Sequence, residues 1–217
     1  MSLLPNIAAI RRNYSMQSLT EASVAKDPVS QFKVWMEEAI AAETTEPTAM
    51  VLSTVNSAGR PSARVVLLKE INASGFVFFT NYQSRKGQDL QANPFGALTF
   101  FWAELERQVR VEGRIQKIDA TASDAYFHSR PKGSQIGAWA SPQSQPIKDR
   151  EELEKADAAY TSKFEATEII PRPEHWGGYI LLPEVVEFWQ GRPNRLHDRI
   201  VYEKQADSNW QLKRLAP

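Results

Sequence analysis

The chain has 217 residues, 42% of them hydrophobic, with six Trp and ten Phe, enough for a substantial core that needs no covalent staples. Its 26 Lys and Arg are balanced by 26 Asp and Glu, so the basic surplus of a general nucleic-acid binder is missing and any cationic site must be local. There is no cysteine, which excludes disulfides, thiol nucleophiles and Cys-ligated zinc or iron–sulfur centres.

Met1-Ser-Leu-Leu-Pro5 is apolar ahead of its arginines, the wrong order for a secretory signal. No apolar run approaches the roughly 18 residues of a membrane span, and the expected location is cytoplasmic. Residues 1–27 read as an N-terminal arm with a short helical pattern around Arg11 and Tyr14. Asp27-Pro28 is a helix start, an N-cap followed by Pro at N1. The helix carries Val29, Phe32, Trp35, Met36 and Ile40 on one stripe until about Glu43. From Thr48 the period changes to that of strands. Residues 48–55, 62–69 and 76–80 are rich in β-branched or aromatic side chains, and Asn56–Gly59 and Asn72–Gly75 are turn sequences between them.

A short helix at 83–93 stops at Pro94, and strands follow at 95–102 and 106–118. In the second strand Gln108, Arg110, Glu112 and Arg114 share one face, with Val109, Val111 and Ile115 on the other. Residues 119–129 read as a helix capped by Asp119. Residues 131–147, with three Pro and two Gly, read as loop. Residues 149–165 form a charged helix with Leu153, Ala156, Tyr160 and Phe164 inward. Strands at 177–182, 185–190, 195–203 and 210–215 complete the chain. Many short antiparallel strands with peripheral helices predict a mainly β (α+β) single domain over 1–217, closed or nearly closed into a barrel. No βαβ alternation and no G-x-G-x-x-G is present.

Four stretches carry possible chemistry. Arg64-Val-Val-Leu-Leu-Lys69 is an apolar strand bracketed by cations that a regular strand would put on opposite faces; they are ordinary strand-end charges or part of a site. Ser84 reads as a helix cap, which puts Arg85 and Lys86 in the first turn, where cations oppose the helix dipole and can serve an anion. A phosphate monoester, with charge of about −1.5 to −2, matches two such cations. Tyr126 and Arg130 are i, i+4, with Ser134 close by: ordinary helix surface, or a second anion clamp. Phe188-Trp-Gln-Gly191 leads through a turn to Arg195, His197 and Arg199, which share one face if extended. That face is either a solvated edge strand or the wall of an anionic site flanked by Trp189. His128 and His175 share no metal-ligand spacing and read as structural.

Phe188-Trp-Gln-Gly191, Arg195-Leu-His-Asp-Arg199 and the terminal Arg214-Leu-Ala-Pro217 resemble the C-terminal signature of the pyridoxine (pyridoxamine) 5'-phosphate oxidase family. The likeness runs from about Arg11 to Pro217, with its motifs in order. It implies an FMN-binding split β-barrel of antiparallel Greek-key type, and a homodimer with FMN at the subunit interface. The implied reaction oxidises pyridoxine 5'-phosphate or pyridoxamine 5'-phosphate with O2, releasing H2O2, and NH3 from the amine. By the same resemblance Arg64, Val65, Val66, Leu67, Leu68 and Lys69 contact FMN, as do Phe79 (where some relatives have Tyr) and Thr80. Ser84, Arg85 and Lys86 hold its phosphate, and Gln108, Gln143, Ser144, Trp189 and Arg199 are further flavin contacts. Lys69, Tyr126, Arg130 and Ser134 hold the substrate phosphate, with Arg11 and Tyr14 also at the substrate. Arg195 and His197 are the catalytic pair, and no metal is implied. Other readings are a split-barrel flavin reductase with a different acceptor and a flavin- or pyridoxal-phosphate-binding protein without turnover; the second clamp and the Arg195–Arg199 stretch discriminate, since a simple flavin binder has no use for them.

Overall fold

The computed structural model describes residue 9 and residues 13–217. They fall into two compact units: Met1–Pro47, Thr99–Val111 and Val185–Pro217 in one, Thr48–Leu98 and Glu112–Glu184 in the other.

In the first unit, Asp27 caps α1 (Pro28–Ala41) by accepting the Ser30 N–H at 2.9 Å. The helical period carries the buried face from Phe32 through Trp35 and Met36 to Ala39. Ile40, expected on this stripe, is instead 56% exposed. Phe32 meets Phe100 at 4.8 Å and Trp35 meets Phe188 edge-on at 5.2 Å. Arg107 is buried here, which alternation alone does not forbid but burial of charge makes costly. Its guanidinium lies 4.4 Å over Trp35 and bonds Glu38, Gln17 and Gln190. Leu19 is buried, its N–H bonding Asp198, while Arg214 bonds Glu21, Asp198 and the Leu19 carbonyl. Asn13 and Tyr14, expected in a short helix, have no helical structure.

The second unit begins with a hairpin of β1 (Ala49–Val55) and β2 (Pro61–Leu67), paired antiparallel with Leu52 opposite Arg64. Asn56 closes its turn by accepting the N–H groups of Ala58 and Arg60. A second hairpin joins β3 (Glu70–Asn72) and β4 (Gly75–Asn81). Helices α2 (Arg85–Ala92), α3 (Ala120–Ser129), α4 (Lys132–Ala140) and α5 (Arg150–Lys163) belong to this unit. Helix α4 corrects the loop expected over 131–147. Its Gly133 and Gly137 weaken the local signal, but Ile136 packs into a buried cluster with Phe127, Phe164, Ile170 and Trp176, and tertiary burial overrides propensity.

Strands β5 (Phe95–Trp102), β6 (Arg107–Lys117) and β7 (Trp176–Gln190) each run through both units. The sheet path is β2-β1-β5-β6-β7-β4-β3, with β8 (Asp198–Lys204) on β7 and β9 (Trp210–Arg214) on β8. The two strands expected at 177–182 and 185–190 are one. Its ladder with β4 ends at Leu181 and that with β8 begins at Val185, so Pro183, which has no N–H to donate, sits where the partner changes. The expected class holds: mainly antiparallel strands with five α-helices among the described residues.

Candidate active site

The second unit contains a cavity of about 550 Å³ that gathers twelve of the expected site residues. Arg64, Val65, Val66, Leu67 and Lys69 come from β2 and its exit; Phe79 and Thr80 come from β4. Lys86, Tyr126, Arg130, Ser134 and Gln143 complete the set, with Pro131 and Trp176 beside them. Arg64 and Lys69 line one cavity because β2 stops at Leu67. Beyond it the Leu68 N–H turns to the Thr48 carbonyl and the Lys69 N–H to that of Val77, at 2.9 Å each. The strand alternation that would separate the two cations therefore no longer applies.

At one end Ser84 caps α2, accepting the Gly87 N–H and donating to the Asn81 carbonyl at 2.7 Å. Lys86 follows in the first turn and is buried. Its Nζ donates to Gln143 Oε1 at 2.8 Å, Thr80 Oγ1 at 3.1 Å and Ser84 Oγ at 3.2 Å. All three are neutral oxygens, and among the described residues no carboxylate pairs with it. Burial, then the nearby Arg64 charge, brings the Lys86 ammonium down to about 8. Gly87 allows this turn to close: a Cβ there would stand 2.0 Å from the Tyr82 carbonyl oxygen. Arg85 is exposed rather than in the cavity wall, and Leu68 is buried in the core.

At the other end Arg130 follows α3 as its C-cap, with extended backbone, so the expected i, i+4 helical pair ends one residue past the helix. Its guanidinium lies 4.6 Å over Trp176, and its Nη1 is buried with no hydrogen-bond partner. An unpaired buried guanidinium nitrogen is costly unless an acceptor meets it. Burial lowers the Arg130 pKa and raises that of Tyr126. Tyr126 stacks on Phe79 with ring centroids 3.8 Å apart, which holds the phenol still. Ser134 is exposed in the first turn of α4.

Of the remaining expected residues, Tyr14, Gln108, Trp189, Arg195, His197 and Arg199 belong to the first unit. The His197 ring is 4.6 Å from Trp189 and 5.8 Å from Tyr14. Its Nδ1 accepts the Arg192 N–H at 3.0 Å; the ring is therefore neutral with its proton on Nε2. Partial burial and then Arg195 lower its pKa. Gly191 lets the turn meet this cluster, since a Cβ would touch Tyr14 at 2.8 Å. Arg195, His197 and Arg199 do not share a strand face, as their spacing had suggested. Pro193–Arg195 is a 3-10 turn with left-handed Asn194 (φ 58°) and Arg195 (φ 62°), and β8 begins only at Asp198. Arg195 is exposed. Arg199 is engaged by Glu187 at 2.9 and 3.0 Å and by the Ala216 carbonyl, and its bonds to Glu187 raise its pKa. Gln108 is half-buried on β6, and Arg11 lies outside the described residues. Ser144 is exposed with φ 71°, next to Gln143. His128 and His175 each bond a backbone carbonyl at 3.1 Å.

Sequence reasoning missed Trp176, which underlies Arg130, and the pair Thr54–Asp89 behind Arg64. No local signal marks a Thr and an Asp on different elements as partners.

Residues 36–162 match the family model described as pyridoxamine 5'-phosphate oxidase, and residues 176–217 match the pyridoxine 5'-phosphate oxidase C-terminal dimerisation region. Proteins named pyridoxine/pyridoxamine 5'-phosphate oxidase from Cupriavidus necator and Thermosynechococcus vestitus are each 56% identical over 214 residues, 99% of this chain and 100% of theirs. That of Actinobacillus pleuropneumoniae is 57% identical over 208 residues, 96% of this chain and 98% of its own. The crystal structure of PhzG from Burkholderia lata, in complex with tetrahydrophenazine-1-carboxylic acid, is similar at TM-score 0.87 and 30% identity, covering 94% of this chain and all of that one. An FMN binding protein of Nostoc punctiforme related to pyridoxamine 5'-phosphate oxidase shares the fold alone, at TM-score 0.70 and 17% identity over 89% of this chain and all of its own. With both family regions matched and full-length relatives above half identity, the chain belongs to the pyridoxine/pyridoxamine 5'-phosphate oxidase family, split-barrel flavoprotein oxidoreductases with a C-terminal dimerisation region.

Proposed function

We propose that the protein oxidises pyridoxine 5'-phosphate or pyridoxamine 5'-phosphate with O2 to pyridoxal 5'-phosphate, using FMN, as a cytoplasmic homodimer with the flavin at the subunit interface. The observation that carries this reading is the pairing of two anion positions in one cavity. Lys86 at one end is buried among neutral oxygens, and Arg130 at the other has a buried nitrogen without a partner. A phosphate ester at each end supplies what both lack, and a flavin mononucleotide and a pyridoxine phosphate bring one each.

FMN, when bound, supplies the two-electron acceptor. Lys86 and Arg64 hold its phosphate from the cavity wall, with Ser84 capping the turn that carries Lys86 and Arg85 reaching in from outside, while the β2 stretch 65–68, Phe79, Thr80 and Gln143–Ser144 contact the rest. Lys69, Tyr126, Arg130 and Ser134 fix the substrate phosphate and so the ring. Arg195 and His197, with Tyr14 and Arg11, complete the substrate side; Gln108, Trp189 and Arg199 complete the flavin side. The neutral imidazole of His197 offers Nε2–H as a donor to the substrate. A hydride leaves C4' and a proton leaves its hydroxyl or amino substituent, and O2 ends with these two hydrogens and two electrons as H2O2. From the amine, water then hydrolyses the imine to aldehyde and NH3.

A flavin-binding protein without turnover has no use for an anion position at Arg130. The test is direct: measure flavin absorbance of the purified protein, add pyridoxine 5'-phosphate in air, and follow aldehyde and peroxide. Aldehyde and peroxide in equal amounts are expected; a flavin-loaded protein that yields neither overturns the reading.

A further inference from the structure

Asp89 is a buried carboxylate in α2 that none of the roles above employs. It is three residues beyond Lys86, on the same side of the helix, and it accepts the hydroxyl of Thr54, in β1, at 2.7 Å. Thr54 is itself fully buried. A hydroxyl has one proton; with that proton on Asp89, Thr54 Oγ1 can only accept from Arg64. It does so, from Arg64 Nη1 at 2.8 Å. The same Nη1 donates to the Leu52 carbonyl at 3.0 Å, Nη2 donates to Ser62 Oγ, and Nη2 lies 3.8 Å from Asp89. Arg64 also lines the cavity. A relay thus runs from the helix bearing Lys86, through β1, to the strand bearing Arg64.

We propose that Asp89 and Thr54 are positioning residues: the carboxylate sets the direction of the Thr54 hydroxyl, and the hydroxyl holds the Arg64 guanidinium in place for a phosphate shared with Lys86. The inference rests on the flavin-phosphate reading of that end of the cavity. Charge supports it. Arg64, Arg85 and Lys86 are three cations with one buried carboxylate among them, leaving about two positive charges for a phosphate monoester of about −1.5 to −2. Burial lowers the Arg64 pKa while Asp89 opposes that shift. A guanidinium tethered on its inner side loses little freedom when it meets the anion, and preorganisation of this kind is worth affinity.

The experiment measures dissociation constants of FMN and riboflavin for wild type, Thr54→Val, Arg64→Leu and the double variant. Thr54→Val keeps shape and deletes the hydroxyl. It is expected to weaken FMN by about tenfold while riboflavin changes by less than about twofold; Thr54→Ser restores FMN affinity. In the Arg64→Leu background the Thr54 effect on FMN should vanish, because its object is gone. Additive losses, or equal losses for both flavins, overturn the inference and leave Thr54 a packing residue. Should Thr54→Val fail to fold, Thr54→Ala carries the same cycle. Asp89→Asn gives an independent sign. Positioning predicts weaker FMN binding, whereas a charge offset alone predicts tighter binding, and tightening overturns the inference. A wild type without preference for FMN over riboflavin removes the flavin-phosphate reading and this inference with it. A preference retained in full by Thr54→Val removes this inference alone.

Discussion

Lys86 holds its charge in surroundings that oppose it, and the consequence can be read in pH. Its ammonium lies at about 8 in the flavin-free fold against 10.5 ordinarily, through burial first and Arg64 second. Because the folded value is the lower one, the unfolded chain binds the extra proton between these limits, and flavin-free stability rises with pH across that window. A bound phosphate dianion reverses the preference, so FMN binding takes up a proton above about pH 8. FMN affinity should therefore fall between about pH 8 and about pH 10, and riboflavin affinity should not. Titrations of both flavins over that range decide it; parallel curves would remove Lys86 from the phosphate site. Arg130 makes the complementary case. Its Nη1 has no internal partner to lose, so Arg130→Leu should leave folding intact. It should lower kcat/KM for pyridoxine 5'-phosphate by about 10- to 10²-fold, the worth of one charge-assisted contact. The slow turnover of unphosphorylated pyridoxine should stay as it was, and steady-state kinetics on both substrates separates the outcomes.

At the scale of elements, α2 and α4 illustrate opposite uses of glycine. In α2 the first turn lies so close to the preceding chain that a Cβ on Gly87 would stand 2.0 Å from backbone. Gly87→Ala must displace either Tyr82 or the helix start, and with it Ser84 and Lys86. A cost of about 1–3 kcal/mol is expected, a fall of several degrees in Tm, with loss of bound flavin. In α4, Gly133 has open space around the same position, so Gly133→Ala should raise stability by about 0.5–1 kcal/mol through helix propensity and leave flavin content alone. Thermal melts with flavin absorbance test the pair together; equal behaviour would mean that Gly87 does not set the position of the α2 start. The turn 193–197 is a further element whose shape matters more than its composition. Two consecutive left-handed residues, Asn194 and Arg195, are strained conformations held by the Arg192–His197 bond and by that of Leu196 to the Pro193 carbonyl.

For the whole molecule, the decisive question is whether one chain or two complete a site. For the proposed homodimer, the expectation to test is that Arg130 and Arg195 reach one site from different subunits. At limiting substrate Arg130→Leu is expected to keep about 1–10% of wild-type activity and Arg195→Leu about 1% or less. Mixed and refolded together in equal amounts, they should regain activity. Half of the dimers are then mixed, and each mixed dimer has one site with both arginines, so about a quarter of wild-type activity is expected. If both arginines serve the same subunit's site, no mixture recovers. Size measurement of each variant, which should remain dimeric, guards against loss of assembly as the cause.

Much was legible in the sequence because much is local. Asp27, Ser84 and Asp119 each cap the helix they announce, since a cap is a bond to an N–H two or three residues away. The Asn56–Gly59 turn, the β6 alternation and the ordered family motifs are read in the same way. Only the tertiary structure decided the rest. Helix α4 forms against the local Gly signal because Ile136 has a core to enter. Arg64 and Lys69 face one cavity because β2 ends at Leu67, and Arg195 leaves the strand expected from it because the backbone turns left-handed there, while Arg199 stays in β8. Whether a cation is neutralised, like Arg199 by Glu187, or left waiting, like Arg130, depends on what residues distant in the chain bring beside it. Charge is written in the sequence; its partner is chosen by the fold, because burial and pairing are properties of neighbours in space.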